Sequence, residues 1–230
     1  MNLNSSQILL IVVIALIGIH YFFAPTKEGR GEEVIIDGDY RAVDIPNEGI
    51  LLLPTDESKI TSYDEAIFIV AGQYRANPVW FANSLPKGLK EKRYIVIVPY
   101  YADVDSSLGF GQQALEDETG YAKNYSSVIG FSAGGSNLMT WYDGQTATYD
   151  RVVLLDPALS ESQSLADVGS EFIFLYGSPL HDNFRYYGDE YDALSEEVRN
   201  SGGLSEEINI DHYDFPEYFF NPSTDYVNLI

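Results

Sequence analysis

The chain has 230 residues and a mass of 25.7 kDa, a size that suits one α/β domain. Its formal net charge of −22 excludes nucleic-acid binding, because so acidic a surface repels phosphate backbones. The chain has no cysteine, which excludes disulfides, thiolate nucleophiles and cysteine-ligated metal sites. Any chemistry must therefore come from hydroxyls, carboxylates and the three histidines.

The first predicted element is a long apolar segment near the N-terminus. Residues 8–19 carry no polar side chain, and an aromatic trio, Tyr21–Phe23, follows shortly after. A helix from Ile8 to Ala24 would be about 25 Å long, near the lower limit for crossing a bilayer. The aromatic trio is typical of a membrane interface. We therefore predict a single-pass transmembrane anchor that contacts the lipid bilayer through residues 8–24.

A cleaved signal peptide is the alternative interpretation of this segment. No Lys or Arg precedes Ile8, and no small-x-small cleavage site precedes Pro25, so an uncleaved anchor is favoured. The flanking charges are mixed and leave the orientation open. The sequence thus predicts an anchor over residues 1–24, a linker over 25–31 and one domain over 32–230, with the side of the membrane unassigned.

Beyond the linker, short apolar runs alternate with helix-compatible segments. The predicted strands are Glu33–Ile36, Gly49–Leu53, Ala66–Ala71, Tyr94–Pro99, Ser126–Gly130, Val152–Leu155, Glu171–Tyr176 and Glu207–Asp211. We expect the first two to form an antiparallel pair, and the continuous apolar runs after them to be strands buried on both faces. The predicted helices cover Asn77–Lys90, Gln112–Ala122, Ser136–Tyr142 and Asp189–Asn200. This alternation predicts an α/β fold, a mostly parallel sheet with helices on both faces.

The most informative motif is Gly-x-Ser-x-Gly at residues 130–134, which follows a β-rich run and opens a helix-compatible segment. A sharp strand-to-helix turn exposes a serine hydroxyl as a nucleophile, and it crowds the positions two before and two after the serine. Only very small side chains fit there, which explains the glycines. Ala133, directly after Ser132, can direct its backbone N–H toward a developing oxyanion. A glycine-rich turn that only packs closely is the structural alternative.

With this motif the chain resembles the α/β-hydrolase superfamily, from about Glu33 to the C-terminus. In that family the nucleophile precedes the acid and the acid precedes the histidine, each on a loop at the carboxyl end of a strand. The resemblance implies that Ser132 is the nucleophile and that His212, which follows the last predicted strand, is the general base. It also implies a core without a large cap domain, since no gap between predicted strands could hold one.

Two aspartates are candidates for the acid. The commoner family location follows the strand Glu171–Tyr176, and the resemblance therefore favours Asp182. Asp156 is the alternative, directly after Val152–Leu155, at a position that a minority of the family's lipases use. An Asp-Pro pair at the end of a strand is also typical of a simple turn.

The base and the oxyanion donors also have alternatives. His181 competes with His212 for the role of base, but it adjoins Asp182 and we expect it to shape the pocket instead. The resemblance implies two backbone donors to the oxyanion, one from Ala133 and one from the loop after Ala66–Ala71. That loop reads Gly-Gln-Tyr where many family members have His-Gly, and Gln73 is the candidate donor.

The region from Asp182 onward adds charge and aromatic residues. It holds twelve acidic residues and two arginines, which predicts that anionic substrates are disfavoured near the site. Tyr213 and Phe215, beside His212, are candidates to line an apolar acyl pocket.

These features predict a membrane-anchored serine hydrolase that cleaves a carboxylic ester, or a related acyl bond, by a Ser-His-Asp triad through an acyl-enzyme intermediate. The expected partner is a small-molecule acyl ester, and the chemistry needs no metal or organic cofactor. A peptidase would use the same residues. The alternative from another class is a catalytically inactive hydrolase-like module that binds or supports a membrane or envelope assembly, which the unusual Gln73 loop favours.

Overall fold

The computed structural model describes residues 34–36, 38–60, 65–73, 77–91, 93–121, 123–142, 149–159, 168–180 and 182–230, with the backbone alone at 34, 87–88 and 182–185. All of these residues belong to one unit, Glu33–Ile230. The predicted anchor and linker, residues 1–31, lie outside the described residues. The predicted domain boundary therefore stays a prediction.

Nine strands in the described part of the chain form one sheet. Their bounds are β1 (Val34–Ile36), β2 (Tyr40–Ile45), β3 (Gly49–Pro54), β4 (Glu65–Val70), β5 (Arg93–Val98), β6 (Tyr125–Phe131), β7 (Arg151–Leu155), β8 (Phe172–Gly177) and β9 (Leu204–Ile208). The strand order is β1-β2-β3-β5-β4-β6-β7-β8-β9. In this spatial order, the neighbouring strands from β1 to β5 pair antiparallel. All neighbouring strands from β5 through β4 to β9 pair parallel. This arrangement confirms the predicted mostly parallel sheet.

Six helices lie within the described residues, five of them between strands and the sixth after β9. They are α1 (Pro78–Ser84), α2 (Lys87–Lys90), α3 (Val104–Thr119), α4 (Ala133–Tyr142), α5 (Asp182–Asn200) and α6 (Phe215–Phe220). Asn77 caps α1 by accepting hydrogen bonds from two backbone N–H groups, and Asp103 caps α3 by accepting the backbone N–H of Ser106. Both capping residues are exposed to solvent. The hydrogen bonds from Ser106 lower the pKa of Asp103 below its usual value.

The apolar core lies in two layers, one on each face of the sheet. One layer joins the sheet to α3, α4 and α5 through residues such as Leu115, Leu138 and Val198. The other layer joins it to α1, α2 and α6 through residues such as Phe81 and Phe219. Because the central strands are buried on both faces, their sequences are continuous apolar runs, as predicted. The helices therefore cover both faces of the sheet.

Three elements differ from the sequence prediction. The predicted direct pairing of the first two strands is wrong, because β2 lies between β1 and β3 and pairs with both. Helix α3 begins at Val104, before the predicted start at Gln112, since its first two turns are built from small and polar residues. Helix α5 begins at Asp182 and has a kink at Tyr187 with non-helical backbone angles.

The membrane localisation predicted from the sequence is corrected. Within the residues that the structure describes, no helix combines the length and the apolar composition needed to cross a bilayer. Residues 8–24, on which the prediction of a single-pass anchor and of lipid contact rested, lie outside those residues. The anchor is therefore not part of the function derived below.

Candidate active site

Ser132 lies at the sharp turn between the end of β6 and the start of α4. Its φ angle is +54°, in the left-handed region that residues other than glycine rarely adopt. The backbone N–H of Ser132 donates to the carbonyl of Leu155 on β7, which holds the turn against the sheet. The side chain is held at the carboxyl edge of the parallel strands, where open α/β sheets bind their ligands.

The glycines of the motif are required by close backbone contacts. A Cβ atom added at Gly130 would lie 2.6 Å from the Cα of Gly135, on the helix that leaves the turn. A Cβ atom at Gly134 would lie 2.3 Å from the carbonyl oxygen of Val70, at the end of β4. Any side chain at either position would force these backbones apart. The tight geometry that the motif predicts is therefore present at Ser132.

A chain of hydrogen bonds joins Ser132, His212 and Asp156. The Nε2 atom of His212 is 2.9 Å from Oγ of Ser132, and its Nδ1 atom is 2.5 Å from Oδ2 of Asp156. His212 begins a short 3-10 turn, His212–Asp214, just beyond β9. Its side chain is 13% exposed, whereas Asp156 is 1% exposed. This order of hydroxyl, imidazole and buried carboxylate can remove a proton from the serine hydroxyl.

The structure brings the alternative acid, Asp156, to His212. Asp156 directly follows β7, and its second carboxylate oxygen, Oδ1, accepts the backbone N–H of Gly177 at 2.9 Å. Asp182, which the sequence analysis favoured, is the first residue of α5, and its side chain is outside the described part. Among the described side chains, Asp156 is therefore the carboxylate that contacts Nδ1 of His212, at 2.5 Å.

The turn that carries the acid is tied to the turn that carries the serine. Asp156 has a φ of +41°, so both side chains project from left-handed backbone. The backbone N–H of Ala158 donates to the carbonyl of Ser132 at 3.0 Å. The hydroxyl of Ser136, one helical turn after Ser132, donates to the carbonyl of Ala158. Hydrogen bonds therefore link the turn of Ser132 to the turn of Asp156.

Two aromatic rings fix the imidazole of His212. The ring of Phe131 stacks on it with 4.9 Å between centroids, and the ring of Tyr213 contacts it edge-on at 5.2 Å. Tyr213 is half exposed and remains available to a substrate, whereas Phe215 packs in the apolar core beneath the sheet. The competing base, His181, lies outside the described residues.

The two candidate oxyanion donors lie on either side of Ser132. Ala133 is the first residue of α4, where a backbone N–H has no carbonyl acceptor within the helix. A Cβ atom at Gly72 would lie 2.9 Å from the Cβ of Ser132, so the loop after β4 passes directly beside the serine. Gln73 is the next residue and is exposed. Both segments can therefore approach a carbonyl oxygen bound at Ser132.

A cavity of about 550 Å³ opens at the same edge of the sheet, beyond the loop of Gly72. It is lined by Asp44 and Glu48 from the β2–β3 hairpin, by the start of α1 and by Tyr101, whose hydroxyl donates to Glu48. Within the described ranges, no group of three His, Asp or Glu side chains could hold a metal ion.

Sequence reasoning missed the residues that support the hydrogen-bond chain of Ser132, His212 and Asp156. Ser136 and Phe131 lie within four residues of Ser132, but their roles depend on contacts with Ala158 and His212, far away in sequence. The one usable signal was the Asp-Pro pair at 156–157, since a residue before proline is pushed away from helical angles. That signal marks a turn, and it does not say which histidine the turn faces.

Comparison of the sequence with protein-family models and with curated proteins gives no match. Among solved structures, the chain is similar to an S-formylglutathione hydrolase from Agrobacterium tumefaciens, with a TM-score of 0.59 and 12% identity over 86% of this chain and 96% of that one. It is also similar to esterase B from Lactobacillus rhamnosis, with a TM-score of 0.52 and 11% identity over 99% of this chain and 94% of that one.

A third similar structure is the esterase domain of a Rhodothermus marinus protein, with a TM-score of 0.52 and 10% identity over 85% of this chain and 96% of that one. At these identities the likeness concerns the fold alone. Together with the strand order and the turn at Ser132, it shows that the chain has the α/β-hydrolase fold, as the sequence resemblance implied.

Proposed function

We propose that this protein is a serine hydrolase that cleaves a carboxylic ester, or a related acyl bond, through an acyl-enzyme intermediate on Ser132. The observation that carries the proposal is the hydrogen-bond chain from Ser132 through His212 to Asp156. The solved structures of similar fold include proteins named as hydrolases and esterases, which supports an ester substrate.

Each residue of the chain has a defined role in the proposed reaction. The Oγ atom of Ser132 attacks the substrate carbonyl carbon while Nε2 of His212 takes the hydroxyl proton. Asp156 accepts the Nδ1–H of His212, which fixes the tautomer and stabilises the imidazolium that forms. His212 then gives the proton to the leaving alcohol, and the C–O bond of the ester breaks.

The second half of the reaction repeats these roles with water. His212 removes a proton from a water molecule, which attacks the acyl carbon, and the proton returns to Oγ of Ser132 as the acid is released. The negatively charged carbonyl oxygen formed in each half accepts hydrogen bonds from the backbone N–H of Ala133 and from the Gln73 segment.

The alternative, an inactive binding module, is disfavoured by strain in the backbone. Non-glycine residues in the left-handed region cost on the order of 1–3 kcal/mol each. Ser132 and Asp156 both lie there, and both side chains meet at His212. A module without chemistry has no need of this arrangement, and the exposed Gln73 loop alone does not favour it.

The test is the hydrolysis of p-nitrophenyl esters of short acyl chains by the full chain. We expect steady release of p-nitrophenol by the wild-type protein and a loss of about 10⁴-fold or more in kcat for Ser132→Ala. The matched control is Ser127→Ala, a buried serine on the same strand that lies outside the hydrogen-bond chain. Equal rates in wild type and Ser132→Ala would refute the proposed nucleophile.

A further inference from the structure

We propose that Tyr191 is a positioning residue of the active site, which holds the turn of Asp156 in register with His212. The inference rests on the proposed function and extends it to a residue on a helix that carries no member of the triad. Tyr191 lies in α5, the helix that packs on β8 and β9. Its side chain is fully buried, and its hydroxyl donates to the carbonyl of Pro157 at 2.8 Å.

The position of Pro157 makes this hydrogen bond important for the acid. Pro157 directly follows Asp156 and is itself buried, so its carbonyl needs an internal donor. The peptide between the two residues sets the direction in which the Asp156 side chain leaves a left-handed backbone. The Pro157 carbonyl belongs to the following peptide. Because the pyrrolidine ring fixes φ of Pro157, a displacement of this carbonyl shifts Pro157 and, with it, the Asp156 carboxylate, which is only 2.5 Å from Nδ1 of His212.

Three parts of the molecule bind the turn Asp156–Ala158, called the acid turn below. Each part forms hydrogen bonds with a different residue of this turn. Strand β8 binds Asp156 itself, through the carbonyl of Leu175 and the N–H of Gly177. The serine turn binds Ala158 through the carbonyl of Ser132 and the hydroxyl of Ser136. Among the described side chains, the hydroxyl of Tyr191 is the one placed on the carbonyl between these two anchors.

The ring of Tyr191 is itself held rigidly. It contacts the rings of Phe174, Tyr176 and Tyr187, with centroids 5.7, 5.4 and 6.1 Å away. Because these rings fix the phenol in position, its hydroxyl can constrain the turn instead of following it. The same cluster provides a matched control, since Tyr176 donates its own hydroxyl to Ser195.

The experiment compares Tyr191→Phe with Tyr176→Phe in the full chain. Each variant loses one buried phenol hydroxyl from the same aromatic cluster. The readout is the second-order rate of labelling by a fluorophosphonate, measured at a temperature at which circular dichroism shows both variants to be fully folded. We expect Tyr191→Phe to be labelled about tenfold more slowly than wild type, and Tyr176→Phe to stay within about twofold.

Two further readouts separate positioning from general stability. With a small p-nitrophenyl ester, Tyr191→Phe should lower kcat while leaving KM unchanged, because the acid turn supports the imidazole and does not bind substrate. The low-field proton resonance of the His212 Nδ1–H should shift in Tyr191→Phe and stay in place in Tyr176→Phe. If Tyr191 only stabilised the fold, Tyr191→Phe would change kcat and the His212 resonance no more than Tyr176→Phe does.

The outcomes distinguish this inference from the proposed function. Labelling of wild type at Ser132 with equal rates in the two Tyr variants would overturn the role of Tyr191 and leave the hydrolase proposal standing. Wild-type protein that is folded but not labelled would overturn the hydrolase proposal, and the positioning role with it.

Discussion

Ser132 and Asp156 are held in strained backbone conformations, and the hydrogen bonds around them make these conformations stable. Both residues have positive φ angles, and both backbone N–H groups donate to carbonyls of the neighbouring strand, at Leu155 and Leu175. Strain of this kind persists where the surrounding structure fixes the backbone, and it is concentrated at functional sites. The side chains of both residues meet at His212, so two strained positions lie in the candidate site.

The assignment of the acid leads to the first prediction. Asp156→Asn should lower kcat by about 10³- to 10⁴-fold, because an amide at this position no longer stabilises the imidazolium or selects the tautomer of His212. Asp182→Asn should change kcat by no more than about threefold, and it serves as the control for an aspartate in the commoner location of the acid. The kcat values of both variants are measured by steady-state kinetics on one ester. A larger loss of kcat in Asp182→Asn than in Asp156→Asn would contradict the assignment of Asp156 as the acid.

The sequence predicted the sharp turn at Ser132, but it favoured Asp182 over Asp156 as the acid, whereas the structure brings Asp156 to His212. The turn at Ser132 is a local structure, and its requirement for small residues is written within five positions. The acid is defined by its distance to His212, 56 residues away, which depends on how β7 and β9 are placed in the sheet. Asp156 and Asp182 both follow strands, so strand position alone could not separate them.

The turn from β6 into α4 is the element on which the site depends, because it packs against neighbouring backbone without space for side chains. At Gly134 the nearest atoms are the carbonyl oxygens of Val70 and Ala71, which belong to the end of β4 and cannot move without disturbing the sheet. At Gly109, in the exposed part of α3, an added Cβ would meet nothing within 4 Å.

Substitution by alanine should change the free energy of unfolding in opposite directions at these two glycines. Gly134→Ala should lower the free energy of unfolding by about 3 kcal/mol, since the backbone cannot relax around the new methyl group. Gly109→Ala should raise it by about 0.5–1 kcal/mol, because alanine loses less backbone entropy in a helix. Urea unfolding measures both, and a Gly134→Ala variant as stable as wild type would contradict the close packing of the turn.

Tyr125 connects β6 to α3 and gives a prediction about pH. Its hydroxyl donates to the carbonyl of Leu108, and burial raises the pKa of Tyr125 well above its ordinary value of about 10. The folded state therefore keeps this proton at pH values at which the unfolded chain loses it. The resulting contribution to stability is complete below about pH 10 and is lost as the pH rises further.

The pH effect is measured by comparing wild type with Tyr125→Phe. The difference in their free energies of unfolding should shrink as the pH rises from about 9 to about 11, because the phenylalanine has no proton to lose. Tyr186→Phe, at an exposed position, controls for the loss of one phenol. A difference that stays constant over this range would show that the phenol of Tyr125 is not buried as described.

The elements that sequence reasoning missed are those whose burial depends on tertiary context. Strand β2 alternates buried and exposed positions and contains Arg41 and Asp44, so it lacks the apolar run that marked the central strands. Helix α3 begins with serines and glycines, and its first turns are stabilised by the Asp103 cap and by packing on the sheet. The strands buried on both faces were predictable because burial on both faces requires apolar residues at every position.

Across the whole molecule, the excess of acidic residues creates a negative field at the site. The formal net charge is −22, and two of the acids, Asp44 and Glu48, line the cavity at the edge of the sheet where Ser132 also lies, with β4 and β5 between the cavity and the serine turn. A negative field raises the local concentration of cations and lowers that of anions. Salt screens this field, and at physiological ionic strength the screening is strong beyond a Debye length of about 8 Å.

The prediction from this field concerns esters that differ only in the charge at the end of the acyl chain. At low salt, kcat/KM for the anionic ester should be about tenfold lower than for the cationic one, and the gap should narrow at high salt. At low salt, the double variant Asp44→Asn with Glu48→Gln should also reduce the difference in kcat/KM between the two esters. The control is Asp56→Asn with Glu57→Gln, which removes the same charge beyond β3 at the opposite edge of the sheet.

The central claim is that the fold activates Ser132 as a nucleophile. The most direct measurement is to treat the full chain with a fluorophosphonate and to locate the adduct by peptide mass spectrometry, with Ser132→Ala and His212→Ala treated alongside. We expect a single adduct on Ser132, absent from Ser132→Ala and strongly reduced in His212→Ala. No adduct on folded wild-type protein, or an adduct on another serine, would contradict it.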